Sequence, residues 1–196
     1  MKSLKEALLN RPKNVDVSQV AVAEYINTNY TTRGRLTYKA TNGIYIVNCG
    51  GDVKVENKEI EKLTDGFVWG KVRGSFDCGF CPNLKSLEGS PKEVGEDVYY
   101  SFCGSLESLE GGPEKVKGSF DCSCCRNLKS LEGAPGEVGG DFNCSYCPGF
   151  KTLKGAPERV GGDFNCYSCK GLESLEGAPK EVGGDFNCVD CKNLKQ

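Results

Sequence analysis

Residues 162–179 read Gly162-Asp163-Phe164-Asn165-Cys166-Tyr167-Ser168-Cys169-Lys170-Gly171-Leu172-Glu173-Ser174-Leu175-Glu176-Gly177-Ala178-Pro179. The same wording recurs at a spacing of 22 residues, anchored at Phe76, Val98, Phe120, Phe142, Phe164 and Phe186. Each block approximates Phe-x-Cys-x-x-Cys-x-x-Leu-x-x-Leu-x-Gly-x-Pro, and a valine stands four residues before the next anchor (Val94, Val116, Val138, Val160, Val182). A short fixed period predicts a solenoid, in which each coil buries its apolar face against its neighbours. Such a body offers an extended surface and favours binding over catalysis.

The composition narrows the class. The chain has 196 residues and a net charge of −2, so no global basic field points to nucleic acid. Histidine is absent, which removes the usual general base and the commonest nitrogen ligand of zinc. Residues 1–10 hold no apolar run long enough for a signal peptide, and no transmembrane stretch is present. The 13 cysteines follow the repeat as core positions do, so the expectation is a cytoplasmic protein with reduced thiols.

Residues 1–50 do not repeat and are expected to form a small α/β N-terminal cap. Ser3 to Asn10 reads as a helix ended by Arg11-Pro12, and Val20 to Ile26 as a second one. Arg35–Lys39 and Ile44–Val47 flank Asn42-Gly43, the signal of a β-hairpin. Residues 51–196 form the solenoid, with one degenerate repeat and about six more, the last incomplete.

Val53-x-Val55, Lys58, Ile60 and Leu63 in the degenerate repeat, and Phe164, Cys166, Cys169, Leu172 and Leu175 later, resemble the frame of the leucine-rich-repeat family. The resemblance covers roughly residues 52–196 and implies an α+β, right-handed, leucine-rich-repeat-like β-solenoid. In that frame Phe164 and Cys166 face inward from a strand, Cys169 takes the Asn/Cys ladder position, and Pro179 turns the back. One extra residue before Leu172 implies an irregular or short 3₁₀ convex side. The wording Leu175-Glu176-Gly177-Ala178-Pro179-Lys180-Glu181-Val182-Gly183-Gly184-Asp185-Phe186 also resembles repeat proteins of phages and of gut or oral bacteria.

Strand side chains alternate, so two outward rows are expected on the concave sheet. One holds Asp77, Tyr99, Asp121, Asn143, Asn165 and Asn187; the other holds Ser75, Asp97, Ser119, Asp141, Asp163 and Asp185. Just past the strand lies the row that varies most: Phe80, Phe102, Cys124, Tyr146, Ser168 and Asp190. A row free of packing constraint is where a surface specialises. The candidate partner-binding residues are Phe80, Tyr99, Phe102, Asp121, Asp141, Tyr146, Asp163, Tyr167 and Asp185, with the aromatics as anchors.

The Cys-x-x-Cys pairs (Cys78/Cys81, Cys122/Cys125, Cys144/Cys147, Cys166/Cys169, Cys188/Cys191) fit zinc-ribbon spacing when taken two at a time. Tyr100 stands where the first cysteine of a pair belongs, and a phenol fills a packing slot better than a zinc tetrahedron. Packed thiols are therefore preferred over metal ligands, and no cofactor is expected. Cys124 reads as a neutral surface substitution. The aspartates come one per coil, too sparse for calcium, and read as a solvated rim suited to a basic partner. Turn charges such as Lys92-Glu93 and Lys180-Glu181 read as solvated decoration.

The expected function is non-enzymatic recognition of a partner protein through the concave sheet, with no direct nucleic acid and no membrane. Acidity on that face suits a nucleic-acid-handling complex, and an inhibitor of a bacterial defence nuclease is the narrowest form. The alternatives are a self-assembling structural repeat protein and a zinc-stabilised scaffold. Phe186, Cys188 and Cys191 on the last coil are the candidates for homodimerisation.

Overall fold

The structure is a computed structural model that describes residues 17–195. The helix expected over Ser3–Asn10 lies outside them. Helix α1 (Val17–Asn29) contains the run Val20–Ile26 and buries Val22 and Ile26, one turn apart. Its last carbonyl, Asn29 O, accepts Glu56 N–H at 2.9 Å and Asn57 N–H at 3.2 Å, which ties the helix end to the first coil.

Strand β1 (Tyr30–Thr32) follows, then the hairpin β2 (Leu36–Thr41) and β3 (Ile44–Cys49), paired antiparallel from Leu36↔Cys49 to Thr41↔Ile44. Asn42 and Gly43 form its loop at φ 51° and 78°. Two positive φ values in a two-residue loop are what a type I′ hairpin needs, and Asn-Gly meets that need. Strands β4 (Val53–Val55) and β5 (Phe67–Val72) lead into the repeats.

Each repeat then contributes two strands of two residues. They are β6 (Phe76–Asp77), β7 (Glu93–Val94), β8 (Val98–Tyr99), β9 (Lys115–Val116), β10 (Phe120–Asp121) and β11 (Glu137–Val138). The series continues with β12 (Phe142–Asn143), β13 (Arg159–Val160), β14 (Phe164–Asn165), β15 (Glu181–Val182) and β16 (Phe186–Asn187). The result is a β-solenoid of about six turns with two eight-stranded sheets. The first runs β1-β4-β6-β8-β10-β12-β14-β16 and the second β15-β13-β11-β9-β7-β5-β3-β2. Repeat strands pair parallel and in register, as in Phe120↔Phe142↔Phe164↔Phe186. Because β3 pairs in parallel with β5, the second sheet runs unbroken across residue 50.

The second sheet differs from the expected irregular or 3₁₀ back. Its cause is the valine column. Each valine points inward, and the backbone beside it is satisfied by the preceding coil: Gly161 N–H donates to Val138 O and Gly183 N–H to Val160 O, both at 2.9 Å. With a neighbour supplying the partner, the chain has no need for a local helical turn. The opposite corner is tighter. Gly133 sits at φ 89°, and a Cβ there would lie 2.3 Å from Leu109 C and Glu110 N of the previous coil. Only glycine allows both the dihedral and the stacking distance.

The core is a set of columns. The anchors from Phe76 to Phe164, both cysteine columns from Cys78 to Cys169, and Leu84, Leu87, Leu106, Leu109, Leu128, Leu131, Leu153 and Leu172 are buried. Phe120, Phe142, Phe164 and Phe186 stack at centroid distances of 5.4, 5.4 and 5.1 Å. A buried phenylalanine contributes roughly 1.5–3 kcal/mol.

Candidate binding surface

The surface begins where each strand of the first sheet ends. Asp77 Oδ1 accepts Gly79 N–H at 2.9 Å, and Asp121, Asn143, Asn165 and Asn187 accept from the residue two ahead at 2.9–3.1 Å. These Asx turns stop the strand and swing the chain into a left-handed residue. That residue is Phe80, Phe102, Cys124, Tyr146, Ser168 or Asp190, at φ 60°, 59°, 59°, 57°, 56° and 62°; Phe102 alone reaches it without an Asx turn, since Tyr99 stands at the end of its strand. The first five donate their N–H to the next coil: Phe80 to Ser101 O (2.8 Å), Phe102 to Ser123 O (3.0 Å), Cys124 to Ser145 O, Tyr146 to Tyr167 O and Ser168 to Val189 O (each 2.9 Å).

Bulky residues seldom take positive φ, and for them the conformation costs roughly 1–2 kcal/mol. The other left-handed corner of the coil uses glycine every time: Gly89, Gly111, Gly133, Gly155 and Gly177. The variable row uses it never.

Phe80, Phe102 and Tyr146 are 60%, 47% and 52% exposed. Phe80 and Phe102 stack at 4.5 Å and 8°, and Tyr146 meets Tyr167 edge-on at 5.3 Å. Tyr99 is exposed and donates its hydroxyl to Asp97 Oδ2 at 3.0 Å. The structure therefore gathers four of the five aromatics named from the sequence into two ring pairs, Phe80–Phe102 and Tyr146–Tyr167, and leaves Tyr99 apart from both, on Asp97.

The aspartate row does more than the expected solvated rim. Asp97 Oδ1 accepts Ser119 N–H, Asp141 Oδ1 accepts Asp163 N–H, and Asp163 Oδ1 accepts Asp185 N–H, each at 2.8 Å. Ser75 and Ser119 hydroxyls do the same for Asp97 and Asp141 at 3.3 and 3.1 Å. One carboxylate oxygen thus holds the next coil while the group stays exposed. A Cβ on Gly162 would lie 2.0 Å from Asp141 Oδ1, which explains the Gly-Gly-Asp wording.

All 13 cysteines are free thiols, and both columns lie inside. The second column has a defined task. Cys103, Cys125, Cys147, Cys169 and Cys191 donate Sγ–H to the carbonyls of Cys78, Tyr100, Cys122, Cys144 and Cys166, at 3.1–3.3 Å. Burial pushes the Cys81 thiol up to about 11 and Cys125 up to about 12, and holds Cys78, Cys122 and Cys144 well above the usual thiol range. Among the described residues, no group of three or more His, Cys, Asp or Glu side chains is placed to hold a metal ion. Cys49, outside the columns, is buried and donates to Arg33 O at 3.2 Å.

On the last described coil Phe186 is 37% exposed and Cys188 half-buried, whereas Cys191 is buried. Val189 is also exposed there, and Leu175 is exposed on the coil before it.

Sequence reasoning missed the outer face of the second sheet. Lys71, Glu93, Lys115, Glu137, Arg159 and Glu181 alternate in sign along it, and Lys71–Glu93 (2.9 Å) and Arg159–Glu137 form ion pairs between coils. Lys92–Glu114 and Lys180–Glu158, both 3.0 Å, bridge coils in the adjoining row. A groove of about 860 Å³ lies here, lined by Lys71, Arg73, Glu93, Lys115 and Lys117 among others. The signal was available: the column alternates in sign when the repeats are aligned at 22 residues.

No family model matches this chain, and searches of the curated proteins and of the solved structures return no match.

Proposed function

We propose that the protein is a non-enzymatic recognition module that grips a partner protein through the outer side of the first sheet. Phe80, Phe102 and Tyr146 are its anchors, supported by Tyr99 and Tyr167, while Asp121, Asp141, Asp163 and Asp185 meet basic groups. The observation that carries this reading is the contrast between the two left-handed corners. Five take glycine, the low-strain residue, and six take side chains that raise the strain and differ from coil to coil. Strain retained at one row and avoided at the other is the mark of side chains kept for what they touch. The leucine-rich-repeat likeness, a right-handed winding and a reducing, cytoplasmic setting belong to the same reading, supported by the leucine columns and the free thiols.

The exposed carboxylates suit a partner with a basic groove, as a nucleic-acid-handling protein has. An inhibitor of a bacterial defence nuclease is the narrowest version. The test is capture from host lysate by the wild type and by the triple variant Phe80→Asn, Phe102→Asn, Tyr146→Asn. Asparagine tolerates the left-handed conformation, so the fold is kept. A partner held by the wild type and lost by the variant supports the reading; equal capture contradicts it.

A further inference from the structure

The row of left-handed residues contains a gap. Phe102 and Tyr146 are two coils apart, or about 9.6 Å at the usual strand spacing, and only the small Cys124 stands between them. Their rings do not close it: Phe102 lies flat on Phe80, and Tyr146 packs edge-on against Tyr167. A cavity of about 360 Å³ remains, with Phe102 and Tyr146 as walls and Cys124, Arg126, Pro148 and Lys170 among its lining. Offset aromatic rings prefer centroids roughly 4.5–7 Å apart. A ring seated over Cys124 lies one strand spacing, about 4.8 Å, from the row position of each wall, within reach of both aromatic side chains.

The rim specifies charge. Lys129 and Lys151 on neighbouring coil positions pair with Glu107 at 2.5 Å and Glu173 at 2.9 Å. Among the described residues, Arg126 and Lys170 have no carboxylate within 4.0 Å. Two unpaired cations beside an aromatic slot call for an anion next to the ring.

We infer that the slot takes an aromatic side chain of a partner protein, flanked by aspartate or glutamate that Arg126 and Lys170 engage. This rests on the recognition reading and names the chemistry of its central contact. A nucleotide also combines a flat ring with negative charge. Arg126 and Lys170 stand two coils apart, about 9.6 Å at the usual strand spacing; carboxylates on both sides of an aromatic residue meet both cations and the single phosphate of a mononucleotide meets one, so the peptide is favoured.

The test uses the full chain and the blocked tripeptide acetyl-Asp-Phe-Asp-amide, titrated by NMR. Saturable binding is expected with a dissociation constant of about 1 mM or tighter. Cys124→Phe fills the slot and is expected to weaken binding at least tenfold. It folds because Phe80 and Phe102 occupy the same backbone conformation. Arg126→Ala with Lys170→Ala, both at the surface, is expected to weaken it several-fold and to remove its salt dependence. The inference is overturned by equal binding to Cys124→Phe, by equal or tighter binding of acetyl-Lys-Phe-Lys-amide or AMP, or by no saturation up to about 10 mM peptide. Failure here together with a partner lost by the triple asparagine variant removes the slot and leaves the recognition row standing. Peptide binding with equal capture by that variant removes the row and leaves the slot.

Discussion

The hydroxyls of Ser90 and Tyr100 lie 2.6 Å apart inside the solenoid, and both side chains are buried. Tyr100 stands where other coils have the first cysteine, and Ser90 where later coils have Gly112, Ala134, Ala156 and Ala178. The two departures from the repeat answer each other: a phenol entering the core brings a hydroxyl that needs a partner, and the serine supplies one. Ser90→Ala leaves the phenol oxygen alone and lowers stability by roughly 1–3 kcal/mol. Adding Tyr100→Phe removes the orphan and recovers most of the loss. Urea midpoints of the three proteins check this; a double variant no more stable than Ser90→Ala contradicts it.

The two left-handed corners respond oppositely to substitution. Cys124→Gly relieves strain at φ 59° and leaves stability unchanged or higher by up to about 1 kcal/mol. Gly111→Ala at φ 82° brings a Cβ to 2.8 Å from Glu88 N, and lowers stability by more than about 1 kcal/mol. Thermal melts of the pair decide it, and the reverse order of effects refutes the assignment of the corners.

The carboxylate ladder separates shape from charge. Asp163→Asn keeps an oxygen for Asp185 N–H and is near neutral for stability. Asp163→Ala deletes it and costs about 1 kcal/mol, the low end for a hydrogen bond to a charged group because the site is exposed. If both variants unfold at the same urea concentration, the ladder carries no load. If both are as stable as wild type yet differ in partner capture, the aspartate acts only in recognition.

Buried thiols make stability fall at high pH. The folded Cys81 and Cys125 thiols titrate at about 11 and about 12, above the ordinary 9.0. Their contribution is complete below pH 9 and is lost as pH rises through the folded values, because the unfolded chain releases these protons first. Each such thiol lowers stability by about 1.4 kcal/mol per pH unit in that window. Denaturation midpoints that stay flat from pH 8 to about 11 contradict the burial of these columns.

The phenylalanine, cysteine and leucine columns were legible because burial follows directly from a fixed period. The hairpin was legible because Asn42-Gly43 specifies its turn. The second sheet was not, since Glu-Val strands of two residues show no alternation. The aspartate ladder was hidden for another reason. Whether a carboxylate reaches the amide of the next coil depends on how coils stack, and the spacing of letters does not report that. The Phe102–Tyr146 slot required knowing which neighbour each ring leans on.

Recognition through the left-handed row is tested most directly by photo-crosslinking. Benzoylphenylalanine placed at Phe102 or at Lys115, on opposite sheets, is irradiated in host lysate. A discrete adduct is expected from position 102 and none from position 115. An adduct from position 115 alone, or equal adducts from both, contradicts it.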